Sequence, residues 1–145
     1  NKGAYVLHML RYLIGDDKFF EILSEFLYSK KQLPNNQVTT KDFIDLVHLK
    51  TESKIDWFFK TYLYEKDYPV LIQNTKHGSN HTFIDLYWEN KNFSMPVEVY
   101  YNSNTGLRQR KLSLTNKPTM IAIPHYNKIK IDPNKRILLT IKNKS

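Results

Sequence analysis

The stretch Glu65-Lys66-Asp67-Tyr68-Pro69-Val70 divides the chain into two parts that follow different patterns. Before it, apolar residues recur every three to four positions, which is typical of helices that bury one face. After it, apolar and polar residues alternate in short runs, which is typical of β-strands. We therefore predict an α+β fold in two parts, with a helical array over residues 1–64 and an antiparallel β-sandwich over residues 65–145.

The charge of the chain changes at the same place. Residues 1–64 carry nine Lys or Arg and eight Asp or Glu, a net charge of +1. Residues 65–145 carry thirteen and six, a net charge of +7. A shift in charge that coincides with a shift in pattern supports a domain boundary near residues 65–67.

Composition excludes several classes of protein. A chain of 145 residues suits one ordinary domain or two small ones. Its 41% hydrophobic and 14% aromatic content suffices for a buried core and argues against disorder. The absence of Cys excludes a disulfide scaffold and any zinc site with Cys ligands. No apolar run reaches the roughly 18 residues that suggest a membrane span.

Capping and breaking residues divide the first part into four helices. Gly15 is predicted to end the first helix, Asp16 to cap the second, and Thr39 or Thr40 to cap the third after a loop over residues 30–36. Ser53 and Asp56 have the spacing of a capping box for the fourth. The predicted apolar faces are Val6, Leu7, Leu10, Leu13 and Ile14; then Phe19, Phe20, Leu23, Phe26 and Leu27; then Phe43, Ile44, Leu46 and Val47; and finally Trp57, Phe58, Tyr62 and Leu63.

Seven short strands are predicted in the second part. They are Val70–Gln73, Thr82–Glu89, Met95–Tyr101, Leu107–Leu114, Thr119–Ile123, Lys128–Ile131 and Ile137–Ile141. Turn residues separate them at intervals of about ten residues, which favours a sandwich. The alternation is poor over residues 108–111, where we expect a bulge or a slip in register.

Four segments of the first part follow one another in the order Lys2-Gly3-Ala4, Leu7–Phe20, Thr39–Phe43 and Asp56-Trp57-Phe58-Phe59. In this order they resemble the region just past the active site in the aminopeptidase N family of zinc metallopeptidases. Lys2-Gly3 matches the end of the family pattern Tyr-x-Lys-Gly, with Asn1 at its variable position. In the second part only the order of strands and Asp132-Pro133 resemble the family. Asp67 and the segment Glu52-Ser53-Lys54 stand where the family often has Gly, so the sequence departs from the family at these two local turns.

The resemblance implies that the chain is the C-terminal part of a zinc-dependent aminopeptidase, with residues 1–64 at the rear of a thermolysin-like catalytic domain. In that family a His-Glu-x-x-His motif and a distant Glu bind zinc, and the motif Glu acts as general base. The tyrosine of Tyr-x-Lys-Gly stabilises the oxyanion of the tetrahedral intermediate. All of these residues are expected upstream of Asn1, with the tyrosine immediately before it.

Within the chain, only Lys2 and Gly3 carry over from the family pattern, as flanks of that tyrosine. We therefore expect no catalytic or metal-binding residue here. The fragment alone is predicted to be inactive and to serve as structural support, while zinc and the peptide substrate belong to the parent protein.

Five histidines are the candidates for a metal site within the chain itself: His8, His48, His77, His81 and His125. His77 and His81 have the i, i+4 spacing of zinc ligands on a helix. The sequence between them is turn-like, however, and predicts an exposed hairpin tip. His8 lies among apolar neighbours and is predicted to be a hydrogen-bonded helix residue.

The basic second part offers an alternative function, a β-sandwich binding module that contacts nucleic acid or another acidic partner. Its candidate residues are Arg108, Arg110, Lys111, Lys128, Lys130, Lys135 and Arg136, with Tyr100, Tyr101 and Tyr126. Basic and aromatic residues together suit a nucleic-acid surface. No recognised nucleic-acid motif accompanies them, so a solvated sandwich face is the favoured interpretation.

Overall fold

The computed structural model describes residues 2–32, 38–125 and 127–144. The chain divides into two units, residues 1–64 and residues 65–145. The first unit contains helices α1 (Lys2–Ile14), α2 (Asp16–Gln32), α3 (Thr40–Lys50) and α4 (Asp56–Phe59), and a π-helical turn (Lys60–Tyr64) follows α4 directly. The regular elements among the described residues of the second unit are all strands, so the predicted order of a helical array and then a β-sandwich is confirmed.

The junction between α1 and α2 forms at Gly15. This residue has a φ of 88°, a left-handed conformation that favours glycine, and its N–H donates to the Arg11 carbonyl at 2.8 Å. The predicted end of the first helix is therefore confirmed. The predicted cap of the second helix is wrong, because Asp16 is itself the first residue of α2 and its carboxylate accepts from the Arg11 guanidinium at 2.7 Å.

The apolar stripes of α1 and α2 are narrower than predicted. On α1 the buried residues are Val6, Met9 and Leu10, and Leu7 is 42% exposed. On α2 Phe19 and Ile22 are buried, and Phe20 and Leu27 are 45% and 48% exposed. A helix packed on one side buries positions three and four apart, so residues at the edge of the stripe stay partly in solvent. Phe20 lies at this edge, and the Arg11 guanidinium stacks over its ring, with 4.9 Å between the guanidinium carbon and the ring centre.

A capping box at Thr39 begins α3. The Thr39 hydroxyl accepts from the Asp42 N–H at 3.1 Å, and the Asp42 carboxylate accepts from the Thr39 N–H at 2.8 Å. The prediction of a threonine cap is confirmed, and Thr39 is the residue that provides it. The loop predicted over residues 30–36 begins later than expected, because α2 continues to Gln32. The remaining residues of that loop lie outside the described part of the chain.

The predicted capping box of α4 does not form. Glu52 and Ser53 both adopt left-handed backbone conformations, with φ values of 55° and 57°, and the helix begins only after Ile55. The Asp56 carboxylate lies 2.9 Å from the His48 ring nitrogen instead. The apolar side of α4 consists of Phe58 and Phe59, which are buried. Trp57, which was predicted to lie on the apolar face of this helix, is only partly buried.

The second unit is built from two sheets. The strands are β1 (Val70–His77), β2 (His81–Trp88), β3 (Val97–Ser103), β4 (Gly106–Leu112), β5 (Thr119–Pro124), β6 (Ile129–Ile131) and β7 (Thr140–Lys144). One sheet has the order β5-β2-β1-β7 and the other β4-β3-β6. Most pairs are antiparallel, but β7 runs parallel to β1. The chain reaches β7 from β6 in the other sheet, so no hairpin imposes an antiparallel pairing there.

Alternating side chains of β2 and β3 form the core of the sandwich. Ile84, Leu86 and Trp88 are buried on β2, and Val97, Val99 and Tyr101 are buried on β3. Both segments were predicted as strands, and the alternation that the sequence of the second part indicated is confirmed in them. The Trp88 ring is fully buried, packs edge-to-face on Phe93 at 4.7 Å and donates its indole N–H to the Met95 carbonyl at 2.9 Å. These contacts satisfy the indole donor inside the core.

The expected bulge at residues 108–111 is absent. β3 and β4 pair without interruption from Val97 opposite Leu112 to Ser103 opposite Gly106. The weak alternation has another cause, which is that β4 is an edge strand whose residues are exposed up to Lys111.

Among the described helices, none has both the length and the apolar character that crossing a membrane requires.

Candidate functional site

The two residues carried over from the family pattern lie at the start of α1. Lys2 and Gly3 are exposed and form the first helical turn. Gly3 lines a cavity of about 440 Å³ within the helical unit. The other lining residues are Val6, Leu7, Leu10, Leu23, Phe26, Val38, Thr39, Thr40, Phe43, Ile44, Phe59 and Leu63. The start of α1 therefore adjoins an apolar, partly open cavity lined by residues of several helices.

Among the described residues that line this cavity, the only groups for acid–base or nucleophilic catalysis are two threonine hydroxyls. The Thr39 hydroxyl already accepts the Asp42 N–H in the capping box. None of these described lining residues is an acid, a histidine or a lysine. A hydrolytic site requires such groups to move protons or to bind a metal. The residues around the start of α1 can therefore support a site, but they do not constitute one.

The histidines at the β1–β2 hairpin are not arranged as their spacing suggests. His77 is the last residue of β1 and His81 the first of β2. His77 is paired with Thr82, so the side chains of these two residues share one face of the sheet. Neighbouring residues of a strand point to opposite faces, and His81 accordingly lies beside Phe83, with 6.4 Å between the ring centres. The hairpin tip is as predicted, but the two histidines point away from each other.

A different histidine approaches His77. The His125 and His77 rings lie 6.2 Å apart, measured between centres, and are perpendicular. His125 follows β5, which pairs with β2, and its N–H donates to the Asn80 carbonyl at 3.1 Å. Because this approach depends on the pairing of strands distant in sequence, residue spacing gave no signal for it.

The other two histidines belong to the helical unit. His8 is exposed on α1, and His48 lies on α3, edge-to-face on Phe59 at 5.5 Å and beside Asp56. Within residues 2–32, 38–125 and 127–144, no group of three or more His, Asp or Glu side chains is placed to hold a metal ion. The residues of the described chain thus do not fit a hydrolytic zinc site, which requires about three protein ligands and a base.

The basic residues of the sandwich do not form one continuous surface. Arg108 and Arg110 lie opposite Tyr101 and Val99, on the face of the β4-β3-β6 sheet that carries the core. By the same register Lys111 lies opposite Glu98, on the other face. The predicted basic set is therefore split between the two faces of this sheet.

Several of these basic and aromatic residues form hydrogen bonds or ion pairs within the sandwich. The Arg110 guanidinium donates to the Tyr101 hydroxyl at 3.4 Å, and Arg136 lies 2.7 Å from the Glu98 carboxylate. Tyr100 lies opposite Lys130, and its hydroxyl accepts from the Asn134 amide at 3.0 Å. Tyr126 lies outside the described residues. The nucleic-acid interpretation stays a prediction, which a salt-dependent mobility shift with a generic oligonucleotide would test.

Asp132 is a buried carboxyl group in the turn after β6. It is only 7% exposed, and its side chain accepts from the backbone N–H groups of Arg136 and Ile137 at 2.9 and 3.1 Å. Burial raises the pKa of Asp132 above its ordinary value, and nearby Glu98 raises it further, whereas the two backbone donors and Arg136 act in the opposite direction. The carboxyl group holds the turn through these two hydrogen bonds, and its burial costs free energy because the charged form is removed from water.

The raised pKa of Asp132 predicts a particular dependence of stability on pH. An acid whose folded pKa is raised binds its proton more tightly in the folded protein, so its contribution to stability is full below its ordinary pKa of about 3.9 and is lost as the pH rises through the folded pKa. Asp132→Asn should therefore remove a downward slope in the free energy of unfolding that begins near that pH. Denaturant unfolding at a series of pH values measures it, with exposed Asp67→Asn as the control. Parallel profiles for the wild type and Asp132→Asn would contradict this expectation.

No protein-family model matches the chain, and no curated protein matches its sequence.

Proposed function

We propose that the chain is the C-terminal part of an aminopeptidase N-like zinc metallopeptidase, whose parent protein removes N-terminal residues from peptides. The proposal is supported by the succession of segments along the chain. Lys2-Gly3 opens the first helix of a helical unit, Thr39 caps the third, Asp56–Phe59 forms the fourth, and a β-sandwich follows. This is the order that the resemblance implies for the region after the active site.

The role proposed for residues 1–64 is to hold the start of α1 in place. Val6, Met9 and Leu10 are buried and fix the helix whose first turn carries Lys2 and Gly3. A catalytic side chain needs such support from a rigid element, because small displacements of a reacting group lower the rate strongly. In the proposed parent, the tyrosine expected immediately before Asn1 gains this support from α1.

Catalysis itself is assigned to residues upstream. Since the described residues do not fit a hydrolytic zinc site, the isolated chain is proposed to be inactive. The ligands, the general base and the group that holds the substrate's free amino group all belong, in this proposal, to the preceding part of the catalytic domain.

The coding sequence upstream of the Asn1 codon tests this assignment. We expect a Tyr codon immediately before it, and a His-Glu-x-x-His motif with a third glutamate ligand several tens of residues earlier. The Lys2-Gly3 pair motivates the expected tyrosine, and the order of helical segments motivates the expected zinc motif. An upstream sequence that has neither the tyrosine nor the two histidines would remove the basis of the proposal.

A further inference from the structure

We propose that His77 and His125 together bind one divalent transition-metal ion at the end of the four-stranded sheet. This two-histidine site lies in the sandwich and is separate from the catalytic zinc site expected upstream. It does not rest on the proposed function, and its test gives the same answer whether or not the parent is a peptidase.

The sheet brings the two rings together across the start of β2. His77 is paired with Thr82, and Thr82 is paired with Ile123 on β5. Two residues beyond Ile123 the chain reaches His125, which approaches His77 to 6.2 Å between ring centres. The hairpin that carries His77 is tight, because the Gly78 N–H donates to the His81 carbonyl at 2.7 Å. A Cβ at Gly78 would lie 3.0 Å from that same oxygen, so a side chain there would require the turn to shift slightly.

Thr82 prepares His77 to act as a ligand. The Thr82 hydroxyl lies 3.3 Å from Nδ1 of His77, and Thr82 is buried and therefore well fixed. In the tautomer whose Nδ1–H donates to this oxygen, Nε2 keeps the lone pair that a metal requires. Metal-binding histidines commonly have such a partner on their second ring nitrogen, and it holds both the tautomer and the orientation of the ring.

A small movement completes the geometry. Metal–imidazole bonds are about 2.0–2.1 Å long, so the two rings need to approach each other by about 1 Å for one ion to contact both. His77 is exposed at the end of its strand, which leaves its side chain room for this adjustment. Water molecules would occupy the remaining coordination positions.

The ligand set selects the class of ion. Two imidazoles suit Ni²⁺, Cu²⁺ and Zn²⁺, whereas Mg²⁺ and Ca²⁺ prefer sets of oxygen ligands. Only two protein ligands are available among the described residues, and no carboxylate joins them to form a group of three. The site therefore differs from a hydrolytic zinc centre, and its ion should exchange readily with solvent.

Calorimetric titration of the 145-residue chain with NiCl₂ tests the proposal, with MgCl₂ as the negative probe. We expect one Ni²⁺ per chain and no Mg²⁺ binding. His77→Gln and His125→Gln should each weaken Ni²⁺ binding by about tenfold or more, and Thr82→Val, which keeps the shape of the buried side chain, should weaken it by about tenfold. The matched control is His81→Gln, because that histidine lies in the same hairpin on the opposite face, and it should leave the affinity within about twofold.

Circular dichroism of each variant confirms that the sheet is intact, and a second readout locates the ion. Ni²⁺ is paramagnetic and should broaden the imidazole proton signals of His77 and His125 before that of His81, which lies in the same hairpin. Equal losses of affinity in the three histidine variants would mean diffuse binding to surface histidines and would overturn the proposal. The absence of Ni²⁺ binding to the wild type, or its persistence in His77→Gln, would overturn it as well.

Discussion

Phe58→Ala is expected to lower the free energy of unfolding of the helical unit by about 3–5 kcal/mol. Phe58 is fully buried, and its ring lies 5.2 Å from those of both Phe59 and Tyr62, measured between centres. Truncation to Ala removes these contacts and leaves a cavity that the short helix α4 cannot close. Small proteins have about 5–15 kcal/mol of stability in total, so the variant should unfold at a much lower denaturant concentration. Far-ultraviolet circular dichroism follows the loss of helix.

Trp57→Ala is the matched control for this experiment. Trp57 neighbours Phe58 and is also a large aromatic residue, but it is only partly buried, and its indole N–H donates to the Lys54 carbonyl at 3.2 Å. Its replacement should cost about 1–2 kcal/mol. If Trp57→Ala destabilised the unit more than Phe58→Ala, the assignment of the buried face of α4 would be wrong.

Local chemistry made part of this fold predictable. Gly15 ends α1 because its left-handed backbone suits glycine, and Thr39 caps α3 because its hydroxyl reaches the Asp42 N–H. The alternation of β2 was equally clear, because one face of that strand is wholly buried. In each case, residues within a few positions of one another determine the structure.

Other features depend on partners that are distant in sequence. Ser53 and Asp56 have the spacing of a capping box, but the left-handed turn before α4 and the contact of Asp56 with His48 prevent it. The turn-like sequence between His77 and His81 correctly predicted a hairpin tip, but it did not indicate that His125, after β5, approaches His77. Strand pairing decides which side chains meet, and a single sequence contains little information on pairing between distant strands.

Extension of the chain upstream should convert an inactive protein into an aminopeptidase. The residues of the described chain do not fit a hydrolytic zinc site, and the described residues that line the cavity at the start of α1 are apolar apart from two threonines. In the proposed parent, the ligands and the base are expected in the upstream part. Replacing the tyrosine expected immediately before Asn1 with Phe should leave zinc bound and reduce turnover by about 10²–10³-fold, because one hydrogen bond to the oxyanion is lost.

The most direct measurement compares the 145-residue chain with a chain extended through the expected upstream motif. Zinc content after dialysis and release of a chromogenic group from aminoacyl substrates are measured for both. Dialysis removes ions held by only two imidazoles, so retained zinc reports a site with about three protein ligands. The account predicts about one zinc per extended chain together with turnover, and neither in the 145-residue chain. Retained zinc with turnover in the 145-residue chain would contradict it, and so would an extended chain that has neither.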